Sequence, residues 1–522
     1  MLFNSYIFLF GFLPITLVGF YLIGGRGHHR VAMSWLVAAS LLFYGWWNPA
    51  YLGLIFASML FNYAMGLVLG GDATHKPRGL LWFGIAANLG LIGYFKYANF
   101  FVDNLNWSLG SSYHLETIIL PLAISFFTFQ QIAYLIDAHR GETREYNFLH
   151  YCLFVTFFPQ LIAGPIVHHK EMLPQFARDI IYKLNTRHLA VGITIFIFGL
   201  FKKVVIADGV AVYATPVFEA AENGVALTVF EAWGGVLAYT LQLYFDFSGY
   251  SDMAIGLARM FGIILPLNFY SPYKARNIID FWSRWHITLS RFLRDYLYIP
   301  LGGNRKGRAR RYTNLMVTML IGGLWHGAGW TFVMWGALHG FYLMVNHFWH
   351  SLRRMLGHDL EKTSMAGRGA ARMLTLIAVM VGWAFFRAES FEGALNVVSA
   401  MGGANGISLP TGMAGLAGTF KPWLAEHGVY FNGLVPHDFS EWKGAAPALL
   451  IALSIALYFP NTLDIMAKYR PTVSSHAQGP KRPDLAILEF QISLRWAIFT
   501  ALLLYLSVGR MSQVSEFLYF QF

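Results

Sequence analysis

The chain has 522 residues, of which 56% are hydrophobic and 12% are charged, and apolar runs long enough to span a bilayer recur along its length. This composition excludes an ordinary soluble protein and predicts an all-α polytopic membrane protein. The net charge of +11 comes from Lys and Arg scattered through short loops, which excludes a shared basic face for nucleic acid and favours positive-inside topology. The single cysteine, Cys152, excludes an internal disulfide and a cysteine-ligated metal cluster, and we expect a buried thiol and no bound metal.

In chain order, the apolar runs predict a retained first span and about twelve crossings, within a range of about 11–13, with both chain ends outside. The predicted crossings are residues 3–23, 31–47, 51–70, 79–101, 117–136, 188–210, 229–247, 312–330, 331–349, 371–386, 444–460 and 487–509. Basic loops, such as the turn at Lys76 and Arg78 and the segment Lys468 to Arg482, are placed inside. We interpret residues 1–522 as one integral-membrane domain, with N-terminal spans in 1–136, a catalytic core in 137–349 and C-terminal spans in 350–522.

Residues 147–167 break this alternation, because basic residues such as Arg144 and Lys170 flank the apolar run on both sides. The run contains Pro159, Gly164 and Pro165, which interrupt a helix. A re-entrant hairpin resolves the conflict, since irregular backbone at membrane depth is tolerated only against protein or a water-filled cavity. We therefore expect Gln160 to His169 to lie near a cavity.

Residues 242–256, QLYFDFSGYSDMAIG, place several polar side chains in an apolar context. These side chains are Asp246, Ser248, Tyr250, Ser251 and Asp252. Buried polar groups need partners, so the cluster is expected to line an aqueous path or to support a catalytic base. The spacing alone does not choose between these two interpretations.

Residues 280–297, DFWSRWHITLSRFLRDYL, predict one amphipathic helix at the cytoplasmic interface. At 100° per residue the apolar side chains form one stripe: Trp282, Trp285, Leu289, Phe292, Leu293, Tyr296 and Leu297. The charged side chains form the opposite face: Asp280, Arg284, Arg291, Arg294 and Asp295. His286 lies on the apolar stripe, which indicates either a polar cavity or a hydrogen-bonded core histidine.

Basic residues flank this predicted helix at Lys274, at Arg276 and in the run 305–311, RKGRARR, which starts at Arg305. They are candidates for binding the phosphates of an anionic cytosolic donor. Lipid headgroups attract the same side chains, so both interpretations stay open.

The segment Leu320 to Gly329, LIGGLWHGAG, places one ionisable residue, His326, in an apolar run. An ionisable group at membrane depth is a functional candidate, although a histidine bonded into a helix bundle is the structural alternative. Its glycines are expected to allow close approach of another backbone or of a substrate. Further along, residues 389–442 are rich in Gly and Pro and are expected outside, as a cap, a partner surface or a disordered loop.

Five motifs together resemble the membrane-bound O-acyltransferase family, and within it the branch of alginate O-acetyltransferases. They are FFPQLIAGPI from Phe157, YFDFSGYSDMAIG from Tyr244, FWSRWHITLSRFLRDYLYIPLGGNR from Phe281, WHGA from Trp325 and the terminal FLYFQF. One small departure is Ala123 in PLAISFFTF, where glycine is usual in that branch.

The resemblance implies a ring-like bundle with re-entrant and interfacial helices around a central tunnel. It implies that His326 is the catalytic base and His286 the second conserved polar position. We expect supporting or tunnel-lining roles for Trp325, Asp246, Ser248, Tyr250, Asp252, Arg294 and Asp295. It also implies acetyl-CoA as donor, no bound cofactor, a periplasmic SGNH-type acetyltransferase partner and polysaccharide synthesis or export machinery in the bacterial inner membrane.

Three alternatives remain at this point. Transfer of D-alanine would require a carrier-protein donor, a proton-coupled transporter would require repeat symmetry between two halves, and a scaffold would carry no chemistry. Which polysaccharide is modified, and whether the immediate acceptor is a sugar or a partner protein, does not follow from the residues.

Overall fold

A computed structural model describes residues 1–71, 78–143, 147–360, 362, 364–437, 439, 442, 444–473 and 488–512. The predicted all-α architecture is confirmed, since helices dominate and the strands within the described ranges form one short parallel pair. Several sequence interpretations lie outside the described residues: those on Lys76 and Arg144, on the end of the loop that reaches Arg482, and on the terminal FLYFQF.

The chain divides into two compact units. The first comprises Met1–Val204, Ser248–Asn268 and Pro460–Gln521, and the second comprises Val205–Phe247 and Phe269–Phe459. One long helix, Val229–Met260, contributes its first part to the second unit and its last part to the first. The interpretation of residues 1–522 as a single domain stays a prediction.

The first unit is built of apolar helices. Its longer helices are Leu13–Gly24, His29–Gly45, Tyr51–Gly70, Arg78–Ile92, Ala98–Leu109, Ile124–Arg140, Phe148–Thr156, His169–Phe176, Thr186–Phe201 and Leu494–Val508. Short turns of helix at Phe8–Phe12, Gly93–Tyr97, Phe158–Leu161, Asp179–Tyr182, Thr462–Ile465 and Ala467–Tyr469 join them. The helix Ile124–Arg140 is almost entirely buried, and therefore forms the interior of this unit.

A reciprocal amide pair joins two neighbouring helices of the first unit. The Asn62 side chain donates to Asn88 Oδ1 over 3.0 Å, and the Asn88 side chain donates back to Asn62 Oδ1 over 2.7 Å. Both residues are buried. In an apolar environment each amide needs such a partner, so the pair sets the register of Tyr51–Gly70 against Arg78–Ile92.

The predicted re-entrant segment is broken where the prolines and glycine indicated. The helix Phe148–Thr156 begins with the Asn147 side chain accepting from Leu149 N and His150 N, and it ends before Phe157. One further turn, Phe158–Leu161, precedes an irregular stretch that leads to His169–Phe176. Gln160 is buried and donates to Phe154 O over 2.7 Å. A cavity beside this segment stays a prediction.

The second unit contains the helices that carry both histidine motifs. Its longer helices are Asp208–Glu222, Gly307–His326, Trp330–Met355, Met365–Arg387, Phe391–Met401 and Ala445–Tyr458. Shorter helical turns are Pro272–Lys274, Ile278–Trp282, Ile287–Leu293, Arg294–Tyr298, Thr411–Met413, Ala414–Ala417, Gly418–Phe420 and Lys421–Glu426. The strands Ile407–Ser408 and Val429–Tyr430 pair in parallel.

Two carboxylates anchor the segment predicted to lie outside. Glu222 accepts from the backbone N–H groups of Glu389 and Ser390, over 2.8 and 3.1 Å. Glu231 is fully buried and accepts from the backbone N–H and the ring of His437, each over 3.0 Å. The described part of residues 389–442 is therefore folded against the helices of its own unit, which favours a cap or a partner surface over a disordered loop.

Four helices in the described part of the chain are long and apolar enough to cross a membrane: Tyr51–Gly70, Arg78–Leu109, Thr186–Glu222 and Met365–Arg387. Three shorter apolar helices are Phe8–Gly24, Ala445–Tyr458 and Leu494–Val508. The predicted crossing 51–70 matches its helix, whereas the helices that start near residues 79 and 188 extend beyond their predicted ends at 101 and 210. The total of about twelve crossings stays a prediction.

Candidate active site

The segment around His326 is a tight helical hairpin. The helix Gly307–His326 ends at the histidine because Gly327 adopts an extended conformation, and Trp330–Met355 then runs back along it. A Cβ atom on Gly323 would lie 2.3 Å from Phe332 O, and one on Gly336 would lie 2.4 Å from Met319 O. The glycine of the LIGGLWHGAG segment thus allows another backbone to approach, as predicted, and holds the two helices together at His326.

Aromatic rings surround the imidazole of His326. Its centroid lies 4.9 Å from that of Trp325, 5.1 Å from that of Trp335 and 5.1 Å from that of Phe386. The side chain is 8% exposed, so it is largely shielded from solvent. These rings come from both arms of the hairpin and from Met365–Arg387, and they limit the orientations that the imidazole can adopt.

The second histidine lies at a break in the chain that sequence analysis missed. The single amphipathic helix predicted over residues 280–297 is wrong, because the segment forms Ile278–Trp282, then Ile287–Leu293, then the wider turn Arg294–Tyr298. His286 stands between the first two helices in a left-handed conformation, with φ +42°. A helical wheel assumes constant rotation per residue, so it does not hold across such a break.

The break directs the His286 side chain into the protein. The imidazole is fully buried, and its centroid lies 4.8 Å from that of Phe247 and 6.1 Å from that of Trp325. The expected inward orientation is therefore confirmed, although a left-handed residue and not a continuous helix produces it.

The imidazole rings of His286 and His326 lie next to each other. The ring centroids of His286 and His326 are 6.4 Å apart, and the edge of one ring faces the plane of the other. Forty positions separate them in sequence, and both belong to the second unit. A pair of neighbouring imidazoles can accept a proton at one ring and orient a hydroxyl or a carbonyl at the other. The catalytic roles predicted for the two residues stay predictions.

The polar cluster of residues 242–256 is divided between the units. Asp246 is buried in the same unit as the two histidines, whereas Ser248, Tyr250 and Asp252 belong to the first unit. Asp252 accepts from Lys202 Nζ over 2.6 Å and from the Thr462 hydroxyl over 2.6 Å. Within its own unit Asp252 therefore acts as the acceptor of an ion pair between helices.

Arg294 and Asp295 pair with each other. The guanidinium Nε donates to one carboxylate oxygen over 2.7 Å and Nη2 to the other over 3.2 Å. This bond raises the pKa of the Arg294 guanidinium. Because the Arg294 side chain is 60% exposed, a surface ion pair of small energetic value accounts for the two residues. Their predicted tunnel-lining role is untested.

The candidate donor-binding residues differ in exposure. Arg276 and Arg305 are exposed, and the backbone N–H of Arg276 donates to Asp280. The Lys274 ammonium donates to the backbone oxygen of Phe459. The two arginines are thus accessible to an anion, while Lys274 already has a backbone partner.

Trp335, which contacts His326, and His339, which contacts Trp335, were not predicted from the sequence. Trp335 is 1% exposed and His339 is fully buried, and their ring centroids lie 4.9 Å apart. Both lie in the run 331–349, which was interpreted as a plain crossing. Their spacing of four residues places them on one helix face, and this spacing was the available signal.

Residues 79–377 match the model of the MBOAT, membrane-bound O-acyltransferase family. The chain is 46% identical over 436 residues to the peptidoglycan O-acetyltransferase of Helicobacter pylori, covering 78% of this chain and 81% of that protein. It is 39% identical over 542 residues to the probable alginate O-acetylase AlgI of Pseudomonas putida, covering 100% of both.

A more distant similarity reaches the teichoic acid D-alanyltransferase of Streptococcus thermophilus, at 27% identity over 262 residues, covering 48% of this chain and 62% of that protein. The matched family region includes both His286 and His326 together with the helical hairpin of Gly307–His326 and Trp330–Met355. The chain therefore belongs to the membrane-bound O-acyltransferase family and is a polytopic membrane O-acyltransferase.

Proposed function

We propose that this acyltransferase takes an acetyl group from cytosolic acetyl-CoA and passes it across the bacterial inner membrane, for O-acetylation of an exopolysaccharide of the alginate type. The observation that carries the proposal is the buried pair of imidazoles, 6.4 Å apart, in a chain that aligns along its whole length with a probable alginate O-acetylase. The similarity to a peptidoglycan O-acetyltransferase supports the acetyl group but leaves the polymer open.

His326 is the general base of the proposed reaction. Its imidazole takes the proton from a hydroxyl of the acceptor while the hydroxyl oxygen attacks the thioester carbonyl carbon. The carbon–sulfur bond then breaks, and the coenzyme A thiolate leaves and recovers the proton from the imidazolium. The products are an acetyl ester and free coenzyme A thiol. A positioned base of this kind contributes about 10² to 10⁴-fold in rate.

His286 supports this step from the neighbouring position. Its ring is held by Phe247 and Trp325 and lies beside His326, so it orients the attacking hydroxyl or donates to the thioester oxygen. The side chain is fully buried, so its orientation depends little on solvent.

The acceptor side involves other proteins. We propose a periplasmic SGNH-type acetyltransferase as the partner that receives the acetyl group and passes it to the polymer, in association with polysaccharide synthesis or export machinery. The folded outer segment, anchored by Glu222 and Glu231, is the surface available to that partner.

Transfer of D-alanine is the second candidate, and the 27% identity to a teichoic acid D-alanyltransferase favours it only weakly. The two functions differ in the donor, because D-alanyl transfer requires an aminoacylated carrier protein. A purified enzyme that accepts free acetyl-CoA supports the first function, and one that requires a charged carrier supports the second.

The test is acetyl transfer by purified protein in lipid nanodiscs with labelled acetyl-CoA and a soluble polysaccharide or partner as acceptor. We expect His326→Ala to lower the rate at least 100-fold, because it removes the base. The matched control is His114→Ala, since His114 is exposed and should leave the rate unchanged. Wild-type rates in the His326→Ala protein would refute the assignment of the base, and a transporter or a scaffold would show no transfer in either protein.

A further inference from the structure

A second group of polar side chains, His339, Trp335 and Trp282, lies near His326 and has no role in the proton transfer proposed for that residue. His339 is fully buried, and its ring centroid lies 4.9 Å from that of Trp335 and 5.3 Å from that of Trp282. Trp335 also contacts His326, at a centroid distance of 5.1 Å. The indole ring of Trp335 therefore contacts the imidazoles of both His326 and His339.

The polar atoms of this group have no protein partner among the residues that the structure describes. This holds for both ring nitrogens of His339 and for Nε1 of Trp282 and Trp335. Each of these atoms is buried, and a buried donor without an acceptor is costly. Three side chains of this kind in mutual contact indicate a site for a ligand that accepts hydrogen bonds.

Two of these side chains pack against one glycine. A Cβ atom on Gly382 would lie 3.0 Å from Nε2 of His339 and 3.5 Å from Cδ1 of Trp335. Cδ1 is bonded to the indole nitrogen, so the edge of Trp335 that carries the N–H and Nε2 of His339 lie against the same position of the helix Met365–Arg387. A carbonyl oxygen placed beside these two edges would accept hydrogen bonds from both.

We propose that His339, Trp335 and Trp282 form a subsite that binds the carbonyl oxygen of the acyl donor. The proposal rests on the function proposed above, and it deepens that function by naming which group holds the thioester. The donors are neutral N–H groups, which suit a neutral carbonyl and the partial negative charge that its oxygen gains during attack.

With this subsite, each of the three histidines has a separate role in the proposed reaction. As the acceptor oxygen bonds to the carbonyl carbon, electrons move to the carbonyl oxygen, and the N–H groups of Trp335 and His339 stabilise it. These electrons re-form the carbonyl double bond when the carbon–sulfur bond breaks and the thiolate leaves. His326 handles the proton, and His286 then orients the acceptor hydroxyl.

The first experiment measures kcat and KM for acetyl-CoA with Trp335→Phe, His339→Gln and His339→Leu. Trp335→Phe keeps the aromatic ring and removes the N–H, so kcat is expected to fall roughly tenfold or more, and KM for acetyl-CoA to rise by up to about fivefold. His339→Gln keeps a donor and is expected to retain more activity than His339→Leu. The control is Thr500→Val, which removes another buried donor that has no partner in the described structure, in the helix Leu494–Val508 of the first unit, and which should leave kcat and KM unchanged.

The second experiment measures binding without acceptor, comparing acetyl-CoA with S-ethyl-CoA, which lacks the carbonyl oxygen. Wild-type protein is expected to bind acetyl-CoA roughly fivefold more tightly, and Trp335→Phe and His339→Leu should remove that preference. An unchanged preference and unchanged kcat in both variants would overturn the subsite and leave the proposed function standing. Failure of the wild-type protein to bind acetyl-CoA would overturn the donor assignment and the subsite with it.

Discussion

His286 shows how one residue determines the geometry of the candidate site. Its backbone adopts φ +42°, a conformation that residues with a Cβ rarely occupy, and it separates two short helices. Such strain persists only where the surrounding structure enforces it. The strained residue here is the one whose ring reaches His326, so backbone conformation and side-chain position are linked at the same position.

Substitutions at His286 should separate its backbone role from its side-chain role. Asn tolerates the left-handed conformation and can still donate a hydrogen bond, whereas Leu does neither. We expect His286→Asn to keep the wild-type melting temperature and part of the acetyl-transfer rate. His286→Leu should lose the rate and lower the melting temperature. Equal rates in the two variants, measured in nanodiscs, would exclude a hydrogen-bonding role for this side chain.

The aspartates of the FDFSGYSD motif have different environments despite their proximity in sequence. Asp252 bonds Lys202 and Thr462 in the first unit, whereas Asp246 lies in the unit that holds the histidines. The spacing of six residues places them on different faces of one helix, which is why a shared role could not be inferred from the motif.

At the scale of the element, glycines hold two helices of the first unit in backbone contact. A Cβ on Gly199 would lie 2.4 Å from Gly249 O, and one on Gly256 would lie 2.6 Å from Gly192 O. The glycines are spaced by seven residues on each helix, which is about two turns. Small residues at such spacing let helices in a bilayer approach closely, where burial of apolar surface does not drive association.

Replacing one of these glycines should therefore destabilise the protein. Gly199→Ala places a methyl group against backbone atoms that cannot rotate away, and we expect a loss of about 1–3 kcal/mol. Gly90→Ala is the matched control, because nothing lies within 4 Å of that position. It should raise stability slightly, since alanine favours helix. Thermal unfolding in detergent measures the melting temperatures of both variants. Equal changes in melting temperature would argue against a role for the close contact at Gly199.

The left-handed backbone of Ala123 provides a second test of stability, at the start of a helix. It precedes the helix Ile124–Arg140 with φ +60°, where a Cβ is unfavourable. Ala123→Gly should raise stability by roughly 0.5–1 kcal/mol after the entropic cost of glycine. Ala87→Gly, inside the helix Arg78–Ile92, should lower it by about 1 kcal/mol. A melting temperature below that of the wild-type protein for Ala123→Gly would show that the left-handed conformation of Ala123 is not strained.

For the whole molecule, the distribution of basic residues predicts which loops face the cytosol. The turn after Glu222 lacks Lys and Arg and is expected outside, whereas the basic loop 353–372 is expected inside. This orientation would give a cytosolic donor and an external acceptor access from opposite faces, as the proposed function requires.

Cysteine labelling tests the orientation directly, because the chain has a single buried cysteine that can be replaced. In a Cys152→Ala background, exposed positions can be labelled singly with a membrane-impermeant maleimide on spheroplasts. We expect Ala226→Cys and Lys421→Cys to react in intact spheroplasts and His358→Cys to react only after lysis. The reverse pattern would invert the topology and place the donor outside.

The sequence by itself determined the membrane class, the helical architecture and the family. Hydropathy and charge act locally, so a run of apolar residues such as 51–70 carries its own signal of a spanning helix. The same holds for Pro159 and Gly164, whose backbone restrictions predicted the break in the re-entrant segment. The two histidine motifs were recognisable because they are continuous stretches of residues.

Only the tertiary structure decided how these pieces form a site. The conformation of His286, its 6.4 Å approach to His326 and the group around His339 depend on contacts between residues far apart in the chain. A periodic pattern assumes a regular backbone, and it fails where packing forces a residue into the left-handed region. The helical wheel therefore placed His286 on the correct side for the wrong reason, and it gave no sign that Trp335 contacts His326.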